Sequence, residues 1–132
     1  MAAYLWIALG SALGGTARYW SSGFLAQHFG ETFPVGTLAV NVLGSFVIGF
    51  VATLTAPDGR WFASSDMRQF IMLGLCGGYT TFSSFSIQTL NLVQNGEWVK
   101  AGGNVALSVV LCLAAVWLGH VLAAALNQMK GS

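Results

Sequence analysis

The sequence is poor in charged side chains, and this scarcity restricts the class of protein. Only 7% of its 132 residues are charged, whereas a soluble domain carries about 25%. The formal net charge is +1, which argues against a basic nucleic-acid surface. Cysteines are also few, and Cys76 and Cys112 lie in separate hydrophobic runs. The composition therefore predicts a protein whose surface is covered by lipid.

Charged residues divide the chain into four long uncharged runs. The runs are 1–17, 32–57, 69–96 and 101–129. Each approaches or exceeds the roughly 17–25 residues that a membrane-spanning helix needs. The sequence predicts a single all-α membrane domain with four transmembrane helices, at about 3–26, 35–55, 67–95 and 98–127.

Groups that would support catalysis or proton coupling are missing from these spans. No Asp or Glu lies within them, which counts against proton-coupled export of organic cations. His28 and His120 have no acid in helical register, and no metal-ligand cluster of His, Cys and carboxylates has a usable spacing. We therefore expect that the chain is not an enzyme.

The few basic residues give the chain little preference for one orientation in the membrane. Arg60, Arg68 and Lys130 lie on the side of the chain termini, and Lys100, with Arg18 if it reaches the interface, lies on the other. The positive-inside rule therefore gives a weak bias. A chain that inserts in both orientations can form an antiparallel dimer.

Two helix faces carry small residues together with one polar group. Gly10, Gly14 and Arg18 are spaced by four in the first span. This spacing allows a close helix approach. Arg18, as the charge inside a span, either reaches the interface, pairs with carbonyls or lines a wet vestibule. Asn41 shares a small polar face with Gly44, Ser45 and Ile48 in the second span. Its amide either bonds a neighbouring helix or faces an anion path.

Residues 74–86 of the third span are glycine-rich in the first half and hydroxyl-rich in the second. Glycine pairs weaken a helix, and hydroxyls in hydrocarbon need partners. The stretch is either a kink with a packed phenylalanine face or a broken helix whose free groups form an ion site. A polar stripe follows the glycine pair, formed by Thr81, Ser84, Gln88, Asn91 and Asn95. It indicates a wall that faces water or ions.

Phe82 and Phe85 form a separate face of the same segment. Such a pair usually serves packing. The alternative is that their electropositive ring edges face an anion.

Three motifs resemble the Fluc/CrcB fluoride channels of bacteria. They are Gly36-Thr37-Leu38-Ala39-Val40-Asn41, the stretch from Gly74 to Phe85, and Gly14-Gly15-Thr16-Ala17-Arg18-Tyr19. The resemblance covers the whole chain. It implies an antiparallel, dual-topology homodimer in the bacterial inner membrane, with two pores that export fluoride passively and confer fluoride resistance.

The resemblance also assigns roles to residues. It implies a third helix broken near Gly77–Thr80, and a structural sodium ion at the dimer centre on the backbone carbonyls of Gly77 and Thr80. The implied anion pathway comprises Asn41, Phe82, Phe85, Ser83, Ser84 and Ser108. Arg18 matches a vestibule or anchoring arginine. The alternatives are a small-molecule exporter, which should carry a membrane carboxylate, and a non-conducting assembly subunit, which does not explain the polar stripe.

Overall fold

The computed structural model describes residues 1–30 and 32–130, apart from the side chain of Lys130. Within these residues the chain is helical and has no strands. The helices are α1 (Ala2–Phe29), α2 (Val35–Leu54), α3 (Ser65–Gln69), α4 (Gly77–Tyr79), α5 (Phe82–Gln94) and α6 (Trp98–Lys130), with a π-helical segment, Phe70–Cys76, between α3 and α4.

Three stretches of the described chain are long and apolar enough to cross a membrane. They are Val35–Leu54, Ser65–Gln94 and Trp98–Met129. The chain is therefore a multi-pass, all-helical membrane protein. Helix α1 has 28 residues but is not among the three, since its glycines, hydroxyl residues and Arg18 dilute its apolar side chains. The predicted fourth span, at about 3–26, stays a prediction.

The glycine face of α1 packs directly on the backbone of the π-helical segment and of α4. Gly10 and Gly14 are both buried. A Cβ atom on Gly10 would lie 2.8 Å from the Cα of Gly74, and one on Gly14 would lie 2.9 Å from the amide nitrogen of Tyr79. The predicted close approach at these two glycines is confirmed.

Helices α2 and α6 also meet through glycine. A Cβ atom on Gly49 would collide with the carbonyl of Val116, and one on Gly119 would collide with the carbonyl of Phe46. Small residues at such crossings let the two backbones come into van der Waals contact. Helix α2 thus lies between α6 and the pair formed by α1 and the π-helical segment.

The third segment is interrupted at two threonines rather than at the glycine pair. Thr80 and Thr81 are extended, with ψ angles of 158° and 118°. Gly77–Tyr79 is helical. Of the predicted break at Gly77–Thr80, only the last residue is therefore extended. The glycine pair, Gly77 and Gly78, stays helical because Gly78 packs closely on α1. A Cβ atom added to Gly78 would lie 2.7 Å from the Ser11 carbonyl oxygen.

The threonines themselves favour the interruption. β-branched residues fit an extended backbone better than a helix. Thr81 also caps the next helix, since its hydroxyl accepts a hydrogen bond of 3.1 Å from the Ser84 amide. The interruption thus starts α5 as well as ending α4.

Replacing Gly14 by alanine should destabilise the fold. The new methyl group would meet the Leu75 carbonyl, and overpacking of this kind costs about 1–3 kcal/mol. Gly23→Ala is the matched control on the same helix, because nothing lies within 4 Å of its Cβ position. We expect the thermal unfolding midpoint in detergent to fall for Gly14→Ala and to hold or rise for Gly23→Ala. Equal midpoints would contradict the packing described here.

Candidate functional site

A cavity of about 400 Å³ lies where the break faces α2 and α6. Its wall is formed by Asn41, Gly44, Ser45, Ile48, Cys76, Gly77, Thr80, Thr81, Phe82, Phe85, Ser108, Val109, Cys112 and Leu113. None of these described lining residues carries a charge. The small polar face predicted on α2 is the α2 wall of this cavity.

Asn41 joins α2 to the broken backbone. Its Oδ1 accepts a hydrogen bond of 2.7 Å from the Thr81 amide, and its Nδ2 donates one of 3.0 Å to the Thr81 carbonyl. The side chain thus satisfies two backbone groups that the break takes out of the helix. Of the two interpretations of Asn41, the bond to a neighbouring segment is confirmed. The second hydrogen of its NH₂ group makes no bond within the described chain.

Gly44 gives the break room to approach α2. A Cβ atom there would collide with the Cγ2 methyl of Thr80 and lie 3.6 Å from the ring of Tyr79. The Thr80 hydroxyl turns back and donates to the Cys76 carbonyl over 3.0 Å. The methyl group of Thr80 is thereby held against Gly44.

The break leaves two backbone carbonyls without an internal donor. In a continuous helix the Thr81 amide would bond the Gly77 carbonyl, but here it donates to Asn41. The carbonyl of Thr80 receives no hydrogen bond from residues 1–30 or 32–130. Gly77 is exposed on the surface of the single chain. Carbonyl oxygens freed from a helix are suitable ligands for a hard cation such as sodium, so the residues present fit such an ion.

The two phenylalanines lie side by side on the wall of the cavity. Their ring centroids are 5.2 Å apart and the rings are tilted by 48°. Phe82 is 78% exposed. Packing within one chain therefore does not explain why a large apolar side chain stands at position 82.

A second, larger cavity of about 890 Å³ follows α5 toward its C-terminal end. It is lined by Tyr19, Ser22, Gly23, Ala26, Gln27, Gly30, Thr32, Phe33, Pro34, Val35, Gly36, Thr37, Gln88, Asn91, Leu92, Asn95 and Glu97. The predicted polar stripe is thus divided. Thr81 lines the first cavity, Gln88, Asn91 and Asn95 line the second, and Ser84 lines neither.

A family model described as "CrcB-like protein, Camphor Resistance (CrcB)" matches residues 5–120. The chain belongs to the CrcB family.

Three relatives are similar to this chain over 95% or more of its length. A protein of Opitutus terrae is 63% identical over 132 residues, which is 100% of both chains. A protein of Methylocella silvestris is 62% identical over 129 residues, or 98% of both chains. A third, from Rhodospirillum rubrum, is 60% identical over 125 residues, covering 95% of this chain and 97% of its own. Each of the three is named "Fluoride-specific ion channel FluC".

The structure brings together four of the six residues that the CrcB resemblance assigned to an anion pathway. Asn41, Phe82, Phe85 and Ser108 line the first cavity. Ser83 and Ser84 do not line it in the single chain. The Ser83 hydroxyl lies 3.3 Å from that of Thr81, and the Ser84 amide is held by the same Thr81 hydroxyl.

Arg18 of this CrcB-family chain pairs with a carbonyl. Its Nε donates to the Gly78 carbonyl over 3.1 Å, and the Tyr79 hydroxyl donates to Ser21 on α1 over 3.0 Å. Arg18 is half-buried and is not among the residues that line either cavity. Of the three interpretations of Arg18, carbonyl pairing is the one observed.

Several wall residues had no signal in the sequence. Cys76, Val109 and Leu113 are ordinary apolar residues of membrane helices, and only their position at the break places them on the cavity. The role of Gly44 was also missed, although its place on the Asn41 face could have indicated a contact with the break.

Proposed function

We propose that this chain is a fluoride-selective ion channel that exports fluoride passively across the bacterial inner membrane and confers fluoride resistance. One observation carries the proposal. The break in the third segment brings Phe82 and Phe85 to an uncharged cavity that Asn41 and Ser108 also line. The names of the relatives, each a fluoride-specific ion channel, support it.

The chemistry of the wall suits a small, strongly hydrated anion. A pore must replace the water around such an ion with other donors. The second amide hydrogen of Asn41, the Ser108 hydroxyl and the ring edges of Phe82 and Phe85 are donors of this kind. With no fixed positive charge on the wall, the ion is not trapped.

The direction of transport follows from the membrane potential. A negative interior drives an anion outward by about 2.3 kcal/mol per 100 mV for full crossing. Fluoride that enters as neutral HF ionises in the cytoplasm. A passive pore therefore lowers internal fluoride without an energy-coupling group.

The pore is proposed to form in an antiparallel homodimer of chains with four spans each, α1 being the fourth. Two features support a second copy. Helix α5 buries only Leu92 of its described residues, although polar groups at membrane depth need protein or water around them. The basic residues are also distributed nearly evenly between the two predicted sides of the membrane. In this dimer Ser83 and Ser84 extend the anion pathway along α5, and each of two pores uses surfaces of both subunits.

A structural sodium ion is proposed at the dimer centre, held by the Gly77 and Thr80 carbonyls of each subunit. Bound there, it would neutralise the partial charges of carbonyls that the break releases from the helix. The sodium and the dimer are expected together, because Gly77 is exposed on the surface of the single chain and its carbonyl has no donor among the described residues there. The thermal unfolding midpoint of the dimer should therefore rise with sodium concentration.

Replacing Gly77 by leucine tests this dimer centre. Within one chain, the nearest atom to a Cβ on Gly77 is the Met72 oxygen at 3.7 Å, so the single chain can accept a side chain. A second copy packed at Gly77 cannot. We expect Gly77→Leu to shift the protein from dimer to monomer in light scattering and to stop fluoride efflux. Gly102→Leu, at an open position, is the control, and a conducting Gly77→Leu dimer would contradict this placement.

The proposed function is tested by ion efflux from liposomes that contain the purified protein. A fluoride electrode and a chloride electrode follow the two anions in parallel. We expect rapid fluoride efflux with chloride efflux at the level of empty liposomes. No fluoride efflux would overturn the proposed function, and equal chloride efflux would overturn its selectivity.

A further inference from the structure

A chain of buried and partly buried hydrogen bonds links α6 to the backbone of α5, between the cavity-lining residues Ser108 and Phe85. Asn104 is only 1% exposed and is one of the two largest fully buried side chains among the described residues. Its Nδ2 donates to the Thr89 hydroxyl over 2.9 Å. That hydroxyl donates to the Phe85 carbonyl over 2.7 Å. On the other side, Asn104 Oδ1 accepts from the Ser108 hydroxyl at 3.5 Å.

The direction of every bond in this chain is fixed by hydrogen count. Thr89 has one hydroxyl hydrogen, which it gives to the Phe85 carbonyl, so toward Asn104 it can only accept. The NH₂ group of Asn104 must therefore face Thr89, and its oxygen must face Ser108. While no ion is bound, Ser108 therefore gives its single hydrogen to Asn104, and only the lone pairs of its oxygen face the cavity.

We propose that Asn104 is a positioning residue that competes with the anion for the Ser108 hydrogen. This inference rests on the proposed function, in which Ser108 donates to fluoride. An incoming anion obtains the Ser108 hydrogen only by breaking the bond to Asn104. At 3.5 Å that bond is at the outer limit of hydrogen-bond length, so it weakens the donor without removing it.

The benefit of such a competitor lies in the release of the ion. A conducting site has to bind its ion well enough to admit it and weakly enough to let it leave. A Ser108 hydroxyl with no internal acceptor would hold fluoride more tightly. Asn104 thus lowers fluoride affinity at the cavity, which is a different role from that of a residue touching the ion.

The test is the fluoride concentration that gives half-maximal initial efflux from liposomes. In Asn104→Leu, which fills a similar volume without an acceptor, we expect this concentration to fall about twofold. This is the low end of what one hydrogen bond between uncharged groups contributes, because the bond removed is long. In a Ser108→Ala background the same substitution should leave it unchanged. The control is Asn127→Leu, which alters an asparagine on the same helix at the end of the bundle and should not shift it.

Each outcome of this test supports or overturns the role proposed for Asn104. Suppose that the wild-type protein conducts fluoride. If the half-saturating concentration then does not fall in Asn104→Leu, or falls equally in the Ser108→Ala background, the inference about Asn104 is overturned while the proposed function stands. A wild-type protein without fluoride efflux overturns the proposed function and the inference with it. If Asn104→Leu does not fold, Asn104→Ala replaces it. If neither folds while Asn127→Leu does, Asn104 serves only to join α5 to α6 and the inference is overturned.

Discussion

Asn41→Leu is expected to reduce fluoride efflux to the level of empty liposomes. Leucine has nearly the shape of asparagine, but it can neither accept from the Thr81 amide nor donate to the Thr81 carbonyl. Each buried backbone group left unpaired costs about 1–3 kcal/mol. The extended conformation at Thr81 loses its support, and the cavity wall that starts there loses its shape.

Asn127→Leu provides a close control for this prediction. Asn127 also binds backbone on both sides, since its Oδ1 accepts from the Arg60 amide over 2.6 Å and its Nδ2 donates to the Thr53 carbonyl over 3.0 Å. It lies at the end of the bundle, away from the break. We expect Asn127→Leu to lower the thermal unfolding midpoint while fluoride efflux stays within about twofold of wild type. If Asn41→Leu conducts as well as Asn127→Leu, the two hydrogen bonds between Asn41 and Thr81 are not needed for the pore.

Phe82→Ile and Phe85→Ile are each expected to lower fluoride efflux about tenfold or more without loss of the fold. Isoleucine keeps an apolar side chain but has no electropositive ring edge to offer an anion. A loss of about 1.4 kcal/mol in favourable interaction along the path corresponds to a tenfold lower rate. Phe82 is 78% exposed in the single chain, so its replacement removes little packing there.

The measurement for the two phenylalanines is efflux rate beside the unfolding midpoint. Phe62→Ile is the matched control, because Phe62 is 91% exposed in the loop between α2 and α3 and lines neither cavity. Its efflux should equal that of wild type. Normal conduction in both Phe82→Ile and Phe85→Ile would mean that the rings serve packing alone.

Much of the fold followed from the spacing of charges and of small residues. The uncharged runs predicted the long helices, and the spacing by four predicted that Gly10 and Gly14 share a packed face. Such features depend on the local sequence and on the length needed to cross a bilayer. Periodicity also identified the side of α2 on which Asn41 meets the cavity.

The position of the break could not be predicted in the same way. Glycine lowers helix propensity wherever it stands, so the pair at Gly77 and Gly78 was the local candidate. Contacts with other helices decide which residues of the segment leave the helical conformation. Helix α1 holds Gly78 in a helical turn, and Asn41 supplies the bonds that let Thr81 leave it.

The buried bonds of Asn104 show the same limit. Its spacing of four from Ser108 was visible in the sequence, but its partner Thr89 belongs to another helix. A hydrogen bond between side chains on two helices depends on how the helices are rotated and shifted along their axes relative to each other. The residue pattern of one helix does not determine this. The sequence therefore placed polar residues on faces, and only the packed structure shows which of them line a cavity.

The central claim, passive conduction of fluoride, is tested most directly by the effect of valinomycin on fluoride efflux. Liposomes loaded with potassium fluoride and diluted into fluoride-free medium develop an opposing voltage when fluoride leaves alone. A passive channel should therefore release bulk fluoride only after valinomycin lets potassium follow, and should then release it rapidly. Rapid fluoride release without valinomycin, accompanied by proton movement, would show coupled transport and would contradict the account.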